Sequence, residues 1–156
     1  MRYYDPNKME LKADGIYYID RKISLVNFKY AYISGYYSPT EFSDNLGCYS
    51  VKLRVGNNSY TLCDTRDKST AKYVLNYVQK QVGAQKGVKK YNNALISMEH
   101  VHNVKLEKEI GYKVKVHIKN GRILRVFKSP FKLVAQIEYN KINYDFQKYK
   151  ESNPIK

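Results

Sequence analysis

Residues Lys113–Lys128 read KVKVHIKNGRILRVFK, and the alternation of their side chains decides the fold that the sequence predicts. Val114, Val116 and Ile118 occupy every second position, and the residues between them are basic. Since successive side chains of a strand point to opposite faces, this pattern predicts a strand with one buried face and one polar face. The Lys-Asn-Gly turn that follows supplies positive φ angles, so Ile123–Phe127 is predicted to return as the second strand of a hairpin.

Residues 50–82 repeat this order of features at an offset of 63 or 64 residues. They contain an alternating strand, a Gly-Asn turn, a second short strand and then a helix, for which Ser69-Thr70 is the expected N-cap region; Ser129-Pro130 is the counterpart in the second copy. The apolar positions of both helices follow one stripe with spacings of four, three and four residues. These positions are Ala71, Leu75, Val78 and Val82 in the first helix and Ala135, Tyr139, Ile142 and Phe146 in the second. The predicted fold is therefore α+β: an internally duplicated β-hairpin–helix unit, with antiparallel sheets each covered by one amphipathic helix.

The domain organisation follows from the length and from this repeat. A chain of 156 residues suits a single compact domain, and we expect one over residues 1–156. Its pseudo-repeats are expected at about 16–84 and 93–150, joined by a basic linker at residues 83–93. Upstream of the hairpin–helix unit of residues 50–82 we predict a strand, a turn at Asp20-Arg21 and a long strand from about Ile23 to Ile33, followed by a loop or short helix at Ser38–Gly47.

Composition excludes several classes of protein. No apolar run approaches the roughly 18 residues of a membrane helix, so we expect no membrane insertion. The first residues lack the apolar core of a secretory signal, which makes a cytoplasmic protein the expectation. Cys48 and Cys63 are the only cysteines and are expected to be reduced thiols, since two thiols do not complete a four-ligand zinc site. No phosphate loop, dinucleotide fingerprint or hydrolase motif is present, and we expect no metal, no cofactor and no enzymatic activity.

The charge of the chain points to a polyanionic partner. The net charge is +14, and residues 85–156 carry 16 Lys or Arg against six Asp or Glu, whereas residues 1–84 carry 12 against eight. Rows of cations on a sheet suit phosphate backbones, because each contact releases condensed counterions. We therefore predict a nucleic-acid-binding protein, with DNA or RNA left open. The predicted phosphate-contacting residues are Lys113, Lys115, His117, Lys119, Arg122, Arg125, Lys128, Lys52, Arg54, Lys89 and Lys90.

Two alternatives are open. In one, the basic residues have no ligand; in the other, the partner is a protein. The lysines can instead be ordinary solvating residues of a chain from an AT-rich genome, which the 17 Tyr and the absence of Trp also suggest. Small basic chains without a catalytic motif are common among phage and mobile-element proteins, and such a protein would bind and inhibit a host protein. An exposed aromatic patch would then be the hot spot of the interface. Its predicted members are Tyr30, Tyr32, Tyr36 and Tyr37.

One enzyme interpretation remains as a minor alternative. His100-Val101-His102 places two imidazoles on one face of a predicted strand, and Tyr73 and Tyr77 lie one helical turn apart, with Lys80 completing a Tyr-x-x-Lys motif. This set resembles the HUH nucleases and relaxases. The resemblance implies that His100 and His102 hold a divalent metal and that Tyr77 or Tyr73 attacks a scissile phosphate.

Overall fold

The computed structural model of the chain describes residues 2–37, 47–83, 85 and 87–153. It consists of two compact units, Met1–Gln85 (unit 1) and Lys86–Lys156 (unit 2), whose boundary lies inside the predicted linker at residues 83–93. Both units contain antiparallel strands and one helix, which confirms the predicted α+β class.

Unit 1 is built from seven strands and one helix among its described residues. The strands are β1 (Arg2–Tyr4), β2 (Met9–Lys12), β3 (Gly15–Tyr18), β4 (Arg21–Lys22), β5 (Phe28–Tyr37), β6 (Gly47–Val55) and β7 (Asn58–Thr65), and the helix α1 spans Lys68–Val82. β7, β6 and β5 are antiparallel neighbours, β1 joins β7 in parallel, and β2–β3–β4 form a separate small antiparallel sheet. The predicted stripe of α1 is buried, as is Val74, so the sequence predicted the face that α1 turns to its sheet.

Two predicted boundaries in unit 1 are wrong. α1 begins two residues earlier than expected: its N-cap is Asp67, whose Oδ1 accepts a hydrogen bond from the amide of Ser69 at 3.1 Å. The strand predicted from Ile23 begins only at Phe28, because Asn27 has a φ of 65° and turns the chain. Of the loop predicted at Ser38–Gly47, residues 38–46 lie outside the described residues.

Unit 2 consists of a hairpin, a three-stranded sheet and a long helix. Its elements are β8 (Val88–Tyr91), β9 (Ala94–Ser97), a 3-10 turn (Met98–His100), β10 (Val101–Glu109), β11 (Gly111–Ile118), β12 (Ile123–Ser129) and α2 (Lys132–Ser152). β8 and β9 pair antiparallel, and β10–β11–β12 form an antiparallel sheet with β11 in the centre. The predicted linker is therefore not loop throughout, since β8 lies inside it.

The core of unit 2 lies between this sheet and α2. Val114, Val116 and Ile118 are buried as their alternation predicts, and α2 packs against the same sheet with Ala135, Ile142 and Phe146 buried and Tyr139 half-buried. The Tyr91 hydroxyl donates a hydrogen bond of 2.6 Å to Asp145 Oδ2, which ties β8 to α2. Burial and this hydrogen bond both raise the pKa of Tyr91 far above its ordinary value.

The start of α2 departs from the predicted cap. The helix begins at Lys132 with Phe131 in the N-cap position, where no side chain caps the helix. The Ser129 hydroxyl instead accepts a hydrogen bond of 3.1 Å from the amide of Phe131 and fixes the loop before the helix. A hairpin followed by a helix thus occurs in both units, while their origin by duplication remains a prediction. No helix in the described part of the chain is long and apolar enough to cross a membrane.

Candidate nucleic-acid interface

The predicted basic row of β11 lies on the sheet face opposite the core of unit 2. Lys113, Lys115 and His117 alternate with the buried valines, and the antiparallel register sets residues of β10 and β12 beside them. We call the resulting surface the cationic face. Its members are Lys105 on β10, Lys113, Lys115 and His117 on β11, and Arg125 and Lys128 on β12.

Three cations lie side by side across the middle of the cationic face. Lys105 pairs in register with Lys115, and Lys115 with Arg125, so neighbouring members are about 5 Å apart at the backbone. Like charges directly opposite each other on adjacent strands destabilise a sheet. The central charge is compensated, because the Lys115 ammonium donates to Glu107 at 2.7 Å and also forms an ion pair with Glu109.

Because of these ion pairs, part of the predicted basic row is not available to a ligand. Lys115 is only 7% exposed, and Lys113 donates to Glu109 at 2.7 Å. The hydrogen bonds from Lys113 and Lys115 lower the pKa of Glu109 to about 2, and the bond to Glu107 raises the pKa of Lys115. Glu109 and Lys115 are therefore charged at neutral pH, and the charges of Lys113 and Lys115 are largely compensated by their carboxylate partners.

The outer cations of the face remain available. Lys105, Arg125 and Lys128 are exposed, and none of them forms an ion pair with a described residue. Lys119 and Arg122 extend the face at the β11–β12 turn, where both are exposed. Lys105 was missed in the sequence. Lys105 alternates with the apolar residues Val104 and Leu106, which indicates a strand. A hairpin turn placed at Glu109-Ile110-Gly111 then sets Lys105 opposite Lys115.

A pair of buried polar atoms lies at one end of the cationic face. Asn103 and His117 are neighbours in the register of β10 and β11. Asn103 Oδ1 and His117 Nε2 are both buried and have no hydrogen-bond partner among the described residues. Unsatisfied buried polar groups are costly, so this pair of atoms destabilises the β10–β11 pairing at this end of the face.

The predicted site residues of unit 1 are held by their own neighbours. Lys52 donates to the Thr61 hydroxyl at 2.9 Å. Arg54 is 7% exposed and donates to Gly56 O at 3.0 Å and to the Ser59 hydroxyl at 3.2 Å. These contacts support the β6–β7 hairpin, and they leave the exposed predicted cations in unit 2, where Lys89 and Lys90 are also exposed on β8.

Of the four tyrosines predicted for the alternative protein interface, the structure describes the side chains of Tyr30 and Tyr32. Tyr30 is 5% exposed and Tyr32 is half-buried, with ring centroids 5.8 Å apart. Tyr36 and Tyr37 belong to β5, and their side chains lie outside the described part of the structure. Tyr30 therefore does not contribute to an exposed hot spot.

The residues of the HUH resemblance are distributed over both units. His100 ends the 3-10 turn and His102 lies exposed at a bulge of β10, so they do not alternate along one regular strand. Tyr77 belongs to unit 1, where its hydroxyl donates to the carbonyls of Lys12 at 2.5 Å and Gly15 at 2.7 Å. Burial raises the pKa of Tyr77, which disfavours the phenolate needed for attack. The described residues contain no cluster of three or more His, Cys, Asp or Glu side chains suited to a metal ion.

Comparison with protein-family models, with curated proteins and with solved structures finds no match to this chain.

Proposed function

We propose that this protein binds nucleic acid through the cationic face of unit 2. The observation that carries the proposal is the set of three exposed cations without ion-pair partners in the described structure, Lys105, Arg125 and Lys128, on one face of a rigid antiparallel sheet. The excess of basic residues in this half of the chain favours encounter with a polyanion at long range.

The chemistry of the face favours contact with the phosphate backbone. Lys and Arg heads reach phosphate oxygens without reading the bases, and such contacts position a protein without specifying sequence. No Tyr or Phe belongs to the cationic face, and the imidazole of His117 is half-buried, so the face offers no fully exposed ring on which single-stranded bases could stack. We therefore expect binding that depends strongly on salt and weakly on sequence.

The test is a salt titration of binding to fluorescent single-stranded and duplex oligonucleotides. The face variant carries Lys105→Ala, Arg125→Ala and Lys128→Ala. Its matched control carries Lys141→Ala, Lys148→Ala and Lys150→Ala, which remove the same charge from exposed positions of α2. This control separates local phosphate contacts from the general field of the protein.

We expect the slope of log K against log salt to flatten by about 2.7 in the face variant on duplex, since each phosphate contact contributes about 0.9. On single strands the corresponding change is about 2.1, at about 0.7 per contact. The α2 variant should lose affinity with little change of slope. Absence of binding at low salt, or an equal change of slope in both variants, would overturn the proposal.

A further inference from the structure

Large apolar side chains are exposed together at one end of unit 2, away from the Lys119–Arg122 turn. We call them the apical cluster: Ile110, Pro130, Phe131, Leu133 and Val134. Ile110 at the tip of the β10–β11 hairpin is 99% exposed, Leu133 is 72% exposed and Phe131 is 67% exposed. Single exposed apolar residues need no explanation, but a group of five at one apex is a candidate interaction surface.

The hairpin and the loop before α2 are held against each other. Gly111 follows Ile110 with a φ of 84°, and a Cβ atom at this position would lie 3.0 Å from Ser129 O and 3.5 Å from Pro130 Cα. Only glycine allows this approach without strain. This close approach and the hydrogen bond from the Phe131 amide to the Ser129 hydroxyl together hold the apical cluster in a fixed arrangement.

Two members of the apical cluster occupy positions where local stability favours other residues. Phe131 is the N-cap of α2, a position that favours Ser, Thr, Asp or Asn. Ile110 is the turn residue of a tight hairpin, where a polar side chain or glycine is the rule. Places where a sequence departs from local rules without a structural gain are expected at functional sites.

Three exposed lysines lie next to the apical cluster in the sequence. Lys108, Lys128 and Lys132 flank it in sequence and are exposed, and none of them forms an ion pair with a described residue. The carboxylate adjacent to the tip, Glu109, is held by Lys113 and Lys115. The apex therefore combines protruding apolar side chains with a collar of free cations.

From this combination we propose that the apical cluster docks unit 2 on the headgroup region of an anionic lipid bilayer. Apolar side chains enter the boundary between headgroups and acyl chains while lysines contact acidic headgroups, and neither contribution requires a spanning helix. A second copy of the chain fits poorly, because its own lysine collar would face the first. Nucleic acid would use the collar but would leave the aliphatic side chains in water.

The test measures sedimentation of the full chain with vesicles of phosphatidylcholine alone and of phosphatidylcholine containing about 30 mol% phosphatidylserine. The apex variant carries Ile110→Ser and Phe131→Ser. Serine is a favoured N-cap, so the fold should be retained, which circular dichroism checks. The matched control is Ile123→Ser, an exposed isoleucine at the opposite end of the same sheet.

We expect binding to the acidic vesicles only, weakened at least about tenfold in the apex variant and unchanged in the control. Replacing Lys132 by Gln should weaken it about fivefold. Oligonucleotide binding by the apex variant should persist, which separates this proposal from that for the cationic face. Absence of vesicle binding, or equal losses in apex variant and control, would overturn the proposal. So would a dimer in sedimentation velocity that the apex variant abolishes, since the apex would then join two copies of the chain.

Discussion

The orientation of α2 can be tested with two substitutions of the same kind, Ile142→Ala and Ile137→Ala. The two residues lie on opposite sides of one helix: Ile142 is fully buried against the sheet, and Ile137 is 60% exposed. Both variants shorten the same side chain in the same element, and both gain the helix propensity of alanine, which is worth about 0.4 kcal/mol. Any difference between them therefore reports burial.

The expected magnitudes follow from the exposed fractions. Removing three buried carbon groups costs about 2.4 kcal/mol at about 0.8 per group, and the cavity left behind adds roughly 1 kcal/mol. After the propensity gain, Ile142→Ala should destabilise unit 2 by about 3 kcal/mol. Ile137, 60% exposed, forfeits only about 1 kcal/mol of burial, so its net effect should be about 0.5 kcal/mol.

The assay is urea-dependent hydrogen exchange of the α2 amides. The chain has two compact units, so a signal from the whole chain would report on both, whereas α2 amides report on unit 2. Equal effects of the two substitutions, or a larger effect at Ile137, would show that α2 turns a different face to the sheet. The exposure of Leu133 and Val134, and with it the apical cluster, would then be wrong.

Three further predictions concern turns and charges. Gly111→Ala should destabilise unit 2 by more than Gly121→Ala in urea unfolding. Both glycines have positive φ, where an alanine costs about 1–2 kcal/mol, but only at residue 111 would the added Cβ also contact Ser129 O. Glu109→Gln should tighten oligonucleotide binding and steepen its salt slope by about 0.9, since Lys113 loses its partner; an unchanged slope would contradict the cationic face. Hydrogen bonds from Thr70 and Ser69 hold the pKa of Asp67 below its ordinary 3.8, so the stability it gives α1 is present above that pH and is lost as the pH falls through the lowered pKa. Asp67→Asn, which caps without titrating, should remove this part of the pH dependence of thermal unfolding.

The parts of the fold that the sequence predicted are those governed by the periodicity of buried side chains. The alternation in β11 and the stripe of α1 need no knowledge of the rest of the chain, because a strand and a helix each repeat their own geometry. The short strand β8 could not be found this way, since its four residues in a Lys-rich stretch show no clear alternation. The start of α1 was misplaced because Asp67, Ser69 and Thr70 are all good caps, and only the backbone conformation selects Asp67.

The sequence predicted the cations of the candidate site but not the carboxylates that compensate two of them. That Lys115 is neutralised depends on Glu107 and Glu109 reaching it from β10, which follows from the register of a hairpin and not from the sequence of β11. The same register reveals Lys105 beside Lys115. The apical cluster was not predicted, because its members come from two separate segments of the chain. Nothing in the sequence indicates that Gly111 lies against Ser129.

The parallel pairing of β1 with β7 bears on how unit 1 folds and on how much of its sheet edge is exposed. β5, β6 and β7 are consecutive antiparallel strands and can pair as soon as they are made, whereas β1 must wait for a partner 56 residues further along the chain. When it arrives, β1 pairs with residues 58–60 of β7, and Tyr4 stacks on Tyr60 with ring centroids 4.3 Å apart. Until then that edge presents unpaired amides and carbonyls to any other extended chain. The three residues of β1 thus shorten the stretch of β7 edge on which strand exchange and aggregation could start.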